Sequence, residues 1–171
     1  MLYGVVLNFL LEHKKPSQKN AFCAILDGMG FSMENAPSMT GITKEGIALS
    51  ESMNMALSKS ATKEPIDLII LHAPGTKNGE MSEINAIKNV FKDHLPALYS
   101  NKWLIGHTLG ASGALSLDLA IHCLNESKVP ELPYPNISPK YNGPVKKVLI
   151  NTIGFGGNAV SAIISHPSLF N

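Results

Sequence analysis

Lys102 and His107 stand five residues apart in the run Lys102-Trp103-Leu104-Ile105-Gly106-His107-Thr108-Leu109-Gly110. The spacing places His107 at the start of a helix expected from Gly106 to Asn125. There the positive end of the helix dipole favours the neutral imidazole. A neutral imidazole N–H can polarise a carbonyl oxygen and stabilise the negative charge that develops on it. A second chemical feature lies near the C-terminus, in Asn151-Thr152-Ile153-Gly154-Phe155-Gly156-Gly157-Asn158. Its glycines permit positive φ and close backbone approach to a site. Glu80 and Glu83 fall in the first turn of another expected helix, where acids are favoured by the dipole. Cys23 and Cys123 lie inside apolar segments, as buried cysteines that behave as small hydrophobes do, so neither is expected to be a nucleophile.

The elements that must position these groups follow from periodicity. Residues 4–11 and 21–29 are apolar and β-prone, and the polar stretch from Glu12 to Asn20 separates them. Thr43 resembles an N-cap, with an incomplete capping box, and opens a helix running to about Lys59. Residues 66–73 form a continuous apolar run, the pattern of a strand covered on both faces. A loop from Pro74 to Gly79 follows, then a helix from Glu80 to Phe91. Leu98 and Tyr99 fit a short strand. Residues 129–144 form a Pro-rich connection. Val145 to Ile153 and Ala159 to His166 read as two strands of a hairpin antiparallel to its neighbours. Alternating strands and helices argue an α/β fold, a mostly parallel, mixed five-stranded sheet with helices on both faces.

The helix after His107 has an unusual make-up. Leu109, Ala111, Ala114, Leu115, Leu117, Leu119, Ala120, Ile121, Cys123 and Leu124 spread around most of its circumference. Such a helix is expected to be buried on nearly all sides. Gly106, Gly110 and Gly113 fit close approach to a neighbour, which must offset about 1 kcal/mol per helical glycine. One sheet covers one side. Either the other helices cover the second side, or a second protein layer does.

Bulk composition narrows the classes. The 171 residues fit one domain, taken as residues 1–171, and can bury a core. Fourteen Lys+Arg against thirteen Asp+Glu leave a net charge of +1, so no basic face for nucleic acid is implied. The two cysteines make neither a disulfide framework nor a metal pattern, so no metal and no cofactor are expected. The apolar start, Met1 to Leu11, is too short to span a membrane and lacks the layout of a signal peptide. A cytoplasmic setting follows.

Several motifs together resemble the second half of a β-ketoacyl-acyl-carrier-protein synthase, from near Met1 to the C-terminus. They are Gly4-Val5-Val6-Leu7, Leu11-Glu12-His13-Lys14, Asp27-Gly28-Met29-Gly30, the Lys102/His107 segment and the glycine turn. The resemblance implies a thiolase-like half domain and decarboxylative Claisen chemistry. It implies that the nucleophilic Cys belongs to a first half, expected upstream of this stretch. It assigns His107 and Lys102 as family-like catalytic residues. It makes Glu83, in Gly79-Glu80-Met81-Ser82-Glu83, a candidate partner of Lys102, the alternative being a solvated first-turn acid. It implies that Phe155, within Gly154-Phe155-Gly156-Gly157, gates an acyl chain, the alternative being a packed hairpin residue. One departure stands out. The family carries Ala-His-Gly-Thr at the end of a central strand, and this chain has Ala73-Pro74-Gly75-Thr76. Proline has neither a proton to give nor an N–H donor. Losing such a donor is worth about 10²–10³ in rate by analogy with oxyanion-hole deletions. His72 lies two residues earlier, on the same side of an extended strand. It either compensates or is structural.

Four expectations follow. The chain is a non-condensing, chain-length-factor-like subunit that pairs with a synthase subunit and meets acyl carrier protein. Alternatively it is a split or truncated acyltransferase that keeps malonyl-thioester decarboxylation when paired with a second chain. Alternatively two copies of this chain assemble into an acyl- or carrier-protein-binding module. Finally, the sequence is a piece of a longer gene product.

Overall fold

The computed structural model describes residues 24–35, 42–133 and 138–170. The strand expected over 4–11, the loop after it and Cys23 lie outside the described residues. The sheet is built from β1 (Ile25–Met33), β2 (Leu68–Ile70), β3 (Ala97–Tyr99), β4 (Lys147–Gly154) and β5 (Asn158–Ser165), in the order β1-β5-β4-β2-β3. Strand β2 is parallel to β3 and β4, whereas β5 is antiparallel to both β4 and β1. The hairpin is therefore not antiparallel to its neighbours as a unit: β4 runs with β2, and β5 alone is reversed.

Side chains alternate across the sheet with period two and divide its core into two layers. Ile69, Leu98, Leu149 and Ile163 face α1 (Ile47–Lys59) and α2 (Lys77–Phe91), meeting Leu49, Met53, Ala56 and Ile87. Leu68, Ile70, Val148, Ile150 and Ile164 face α4 (Ser112–Glu126), meeting Leu117, Ala120, Cys123 and Leu124. Helix α1 lies close on β1 because Gly28 and Gly30 carry no Cβ. A Cβ at Gly30 would stand 2.0 Å from the Ser52 carbonyl oxygen.

Several boundaries differ from the sequence reading for local reasons. Strand β1 starts at Ile25 and carries on to Met33. Helix α1 begins at Ile47, preceded by Gly46 in the left-handed region at φ 65°. Thr43 does not cap it. Thr43 instead gives its N–H and hydroxyl to the Glu34 carboxylate, which also accepts the Ala48 N–H. Helix α2 starts at Lys77, because the Thr76 side chain accepts the Gly79 N–H and so caps it.

The segment after Lys102 departs most from expectation. Residues 102–105 form a short helix, α3. Gly106 then turns at φ 73° and Leu109 at φ 49°. A single 3₁₀ turn covers Leu109–Ala111, and α4 starts only at Ser112. Gly106 and Gly110 have open space where a Cβ would be, so they serve no close packing. Nor is the helix buried all round. Ser112, Gly113, Ser116, Leu117, Ala120, Cys123 and Leu124 are buried on the sheet, while Ala114, Leu115, Asp118 and His122 are exposed. The described helices of this chain leave α4's outer flank uncovered.

Candidate functional site

The C-terminal end of β2 carries the centre of the site. Past Ile70 the chain leaves the ladder, and the His72 and Ala73 amides need other acceptors. The Glu83 carboxylate on α2 supplies them, taking the His72 N–H on Oε1 and the Ala73 N–H on Oε2, each at 2.9 Å. Asn151 Nδ2 on β4 donates to the same Oε1 at 3.2 Å. Behind it, the Ser161 hydroxyl donates to Asn151 Oδ1 at 2.8 Å, and Ser52 on α1 meets Ser161 at 2.8 Å. Glu83, Asn151, Ser161 and Ser52 are all buried. A polar chain thus runs from α1 through the sheet to the backbone of the site loop. Ala73 holds φ 37°, a left-handed conformation unusual for a residue with a Cβ, and its N–H is held by Glu83 in that shape.

Glu83 is therefore not the ion-pair partner of Lys102. Among the described residues no ion pair joins them. Lys102 Nζ lies 3.4 Å from the Leu71 carbonyl oxygen, to which it donates. Burial lowers the Lys102 pKa, while the charge on Glu83 raises it. Burial pushes the Glu83 carboxyl up, opposed by the Ala73 and His72 N–H groups, by Asn151 and by Lys102. The pair is coupled through space, with the acid's oxygens spent on holding a loop.

His107 sits between Gly106 and the 3₁₀ turn, and not on a helix N-terminus. The dipole argument for its neutral form falls away. Local bonding sets the tautomer instead: the Leu109 N–H donates to His107 Nδ1 at 3.1 Å. In the neutral ring the proton then belongs on Nε2, leaving an N–H to present to a carbonyl oxygen. The His72 ring lies edge-to-face with His107, centroids 5.2 Å apart and planes at 80°. His72 is only 6% exposed, and its Nδ1 is buried without a hydrogen-bond partner. Burial, with Lys102 and His107 adding to the effect, holds its pKa down at about 3. The neighbour of His107 is thus a neutral imidazole, two residues before Pro74. The sequence leaves His72 open between compensating and structural and takes the strand as extended through it, but β2 ends at Ile70.

The hairpin tip carries Phe155, 71% exposed, on a turn whose Gly156 and Gly157 have φ 78° and 77°. Gly157 touches the rest of the fold: its carbonyl accepts the Glu34 N–H at 3.1 Å, and a Cβ there would stand 2.3 Å from Glu34 O. Trp103, Leu104, Ile105 and Leu109, which flank Lys102 and His107 in the chain, are also exposed, as is Leu115 on α4. Cys123 is buried and its thiol is pushed up to about 12 by burial, which suits packing and not nucleophilic attack. Among the described residues no group of three or more metal-ligating side chains occurs, and no helix is long and apolar enough to cross a membrane.

This mixed sheet, with helices on both faces, has the thiolase-like fold of ketosynthases. A ketosynthase in complex with its chain length factor, from Xenorhabdus doucetiae, superimposes with a TM-score of 0.72 at 30% identity, covering 84% of this chain and 39% of that one. The chain belongs to the family described as beta-ketoacyl synthase, C-terminal domain, whose model matches residues 23–134. A 3-oxoacyl-[acyl-carrier-protein] synthase 1 of Buchnera aphidicola subsp. Baizongia pistaciae is 36% identical over 124 residues, 66% of this chain and 30% of that protein. A putative polyketide beta-ketoacyl synthase 1 of Streptomyces halstedii is 27% identical over 171 residues, 92% of this chain and 40% of that protein. The chain thus spans between 30% and 40% of the length of these relatives.

Proposed function

We propose that this chain supplies the C-terminal side of a ketosynthase-like acyl site and does not condense acyl chains by itself. It works as a chain-length-factor-like partner of a Cys-bearing synthase subunit, in building fatty-acid-like or polyketide-like chains on acyl carrier protein. The observation that carries this reading is the open apolar margin of the site. Trp103, Leu104, Ile105, Leu109 and Phe155 beside the polar centre, with Leu115 on the outer flank of α4, are surface that a second protein layer buries favourably. Pro74 at the family's first His position and the inert Cys123 support the non-condensing part. The test is reconstitution with a Cys-bearing synthase subunit, malonyl-loaded carrier protein and an acyl primer. The chain alone is expected to yield no β-ketoacyl product. The mixture is expected to form a stable complex with altered product length. Sedimentation showing no complex with that subunit or with carrier protein overturns the reading.

The two neighbouring imidazoles favour a second reading, decarboxylation of a malonyl thioester. The bond between the carboxylate and the α-carbon breaks, CO₂ leaves, and the electron pair passes into an enolate. Its oxygen is stabilised by the His107 Nε2–H, and the α-carbon then takes a proton from water. Acetyl-carrier protein formed from malonyl-carrier protein and lost in His107→Ala is the expected result. Equal turnover by the variant removes this reading.

A further inference from the structure

His107 is an exposed ring on an irregular segment, and the Leu109 amide donates a hydrogen bond to its Nδ1. That bond selects a tautomer, but it leaves the tilt of the ring to other contacts. The contact at hand is His72. Its backbone N–H is gripped by Glu83, and Glu83 is gripped in turn through Asn151, Ser161 and Ser52. We propose that His72 is a positioning residue, which carries the order of this buried polar chain to His107 by packing its ring against the His107 ring. The proposal rests on the reading of His107 as the group that meets a thioester carbonyl, and it deepens that reading.

Three observations argue for it. The rings meet edge-to-face at 5.2 Å, an arrangement aromatic rings prefer to stacking face on face. The supporting ring is buried and the supported ring is exposed, so order passes outward from the core. His72 Nδ1 has no partner, so an apolar ring would suit folding better than an imidazole does. Lys102 from α3 acts on the His72 ring through its charge, while Glu83 from α2 holds the His72 backbone N–H and acts on Lys102. A neutral His72 next to Lys102 adds no further positive charge beside His107.

The test reads His107 directly in the free full-length chain, above neutral pH, from its imidazole nitrogen chemical shifts and ring relaxation. No acyl ligand is needed, so failure here is separate from failure of the thioester reading. The unaltered chain is expected to show one His107 tautomer, protonated on Nε2, with an ordered ring. His72→Leu fills much of the buried volume without a ring. It is expected to move His107 to a tautomer mixture with faster ring motion, at a nearly unchanged melting temperature. His72→Phe restores a ring, and is expected to restore His107 order with an equal or higher melting temperature. A purely structural role predicts the reverse: melting falls in both variants while the His107 signals stay put. Unchanged His107 signals in His72→Leu, or a mobile His107 in His72→Phe, overturn the proposal.

Discussion

Among the described residues two carboxylates are buried, one on β1 and one on α2, and they are treated in opposite ways. Asp27 on β1 accepts from the Ser60 hydroxyl at 2.6 Å, the Ala61 N–H at 2.8 Å and the Ser165 hydroxyl at 3.1 Å, and pairs with the buried ammonium of Lys147 at 3.2 Å. Lys147 Nζ also donates to Ser60 Oγ and to the Thr62 oxygens. Glu83 has three donors and no cation in contact. Burial pushes both acids up. At Asp27 the bonds from Ser60, Ala61, Lys147 and Thr62 outweigh burial and bring the pKa down to about 2, whereas at Glu83 burial prevails. One end of the sheet is closed with its charges matched. The other keeps a backbone loop in a strained shape and leaves Lys102 unpaired. A fold that closes an ion pair at Asp27 and Lys147, and among the described residues sets none at the Glu83 end, keeps its stabilising charges apart from the candidate site.

Breaking the closed end gives the largest effect. Lys147→Met strands the Asp27 carboxylate without its counter-ion, and stability measured by urea unfolding is expected to fall by about 3–5 kcal/mol. Acid titration of stability sharpens the contrast. Asp27 has a folded pKa below its ordinary 3.8, so its contribution is present above that value and fades as pH falls toward about 2. His72 is held at about 3 against 6.5, so the unfolded chain binds the extra proton and stability is lost as pH falls between those values. The His72 limb is worth on the order of a few kcal/mol, and His72→Phe is expected to erase it and spare the lower limb. Glu83 runs the other way: its raised carboxyl contributes in acid, and that contribution is lost as pH rises through the folded value. Glu83→Gln exchanges an acceptor oxygen for a donor against the two loop amides. It is expected to cost about 1–3 kcal/mol, with amide exchange at His72 and Ala73 accelerated and that of β1 unchanged. The smallest change belongs to the open margin. Phe155→Ala is expected to move stability by less than about 0.5 kcal/mol, yet to alter acyl-chain length in the reconstituted assembly.

What the sequence disclosed differs between these ends for physical reasons. Lys102 and His107 were legible because their spacing is local, and β4 and β5 were legible because an alternating hairpin with a glycine turn carries its own pattern. The Asp27–Lys147 pair was not: its members come together only through the β1-β5-β4 order, which no local pattern encodes. The helix start at Ser112 was missed because Gly106 and Leu109 interrupt a run that has helical composition. Thr76 was legible as a cap in hindsight, an acceptor side chain three residues before Gly79. The apolar girth of α4 was legible as composition, but composition left open what covers its second side, and among the described residues the other helices of this chain do not. The same composition leaves Ala114 and Leu115 exposed on the outer flank. The place of the His72 ring was not legible because a strand that stops at Ile70 changes where the side chains after it go.

The Glu34 clasp bears on how the hairpin tip can behave. Its carboxylate fastens Thr43 and Ala48, and its main chain fastens Gly157, so the foot of the turn and the leading edge of α1 are stitched together. Any excursion of Phe155 is then a swivel of one aromatic blade on a stationary mount, not a bend of the whole ribbon. A probe placed on that blade will register fast, short-range reorientation, while one on β5 stays silent.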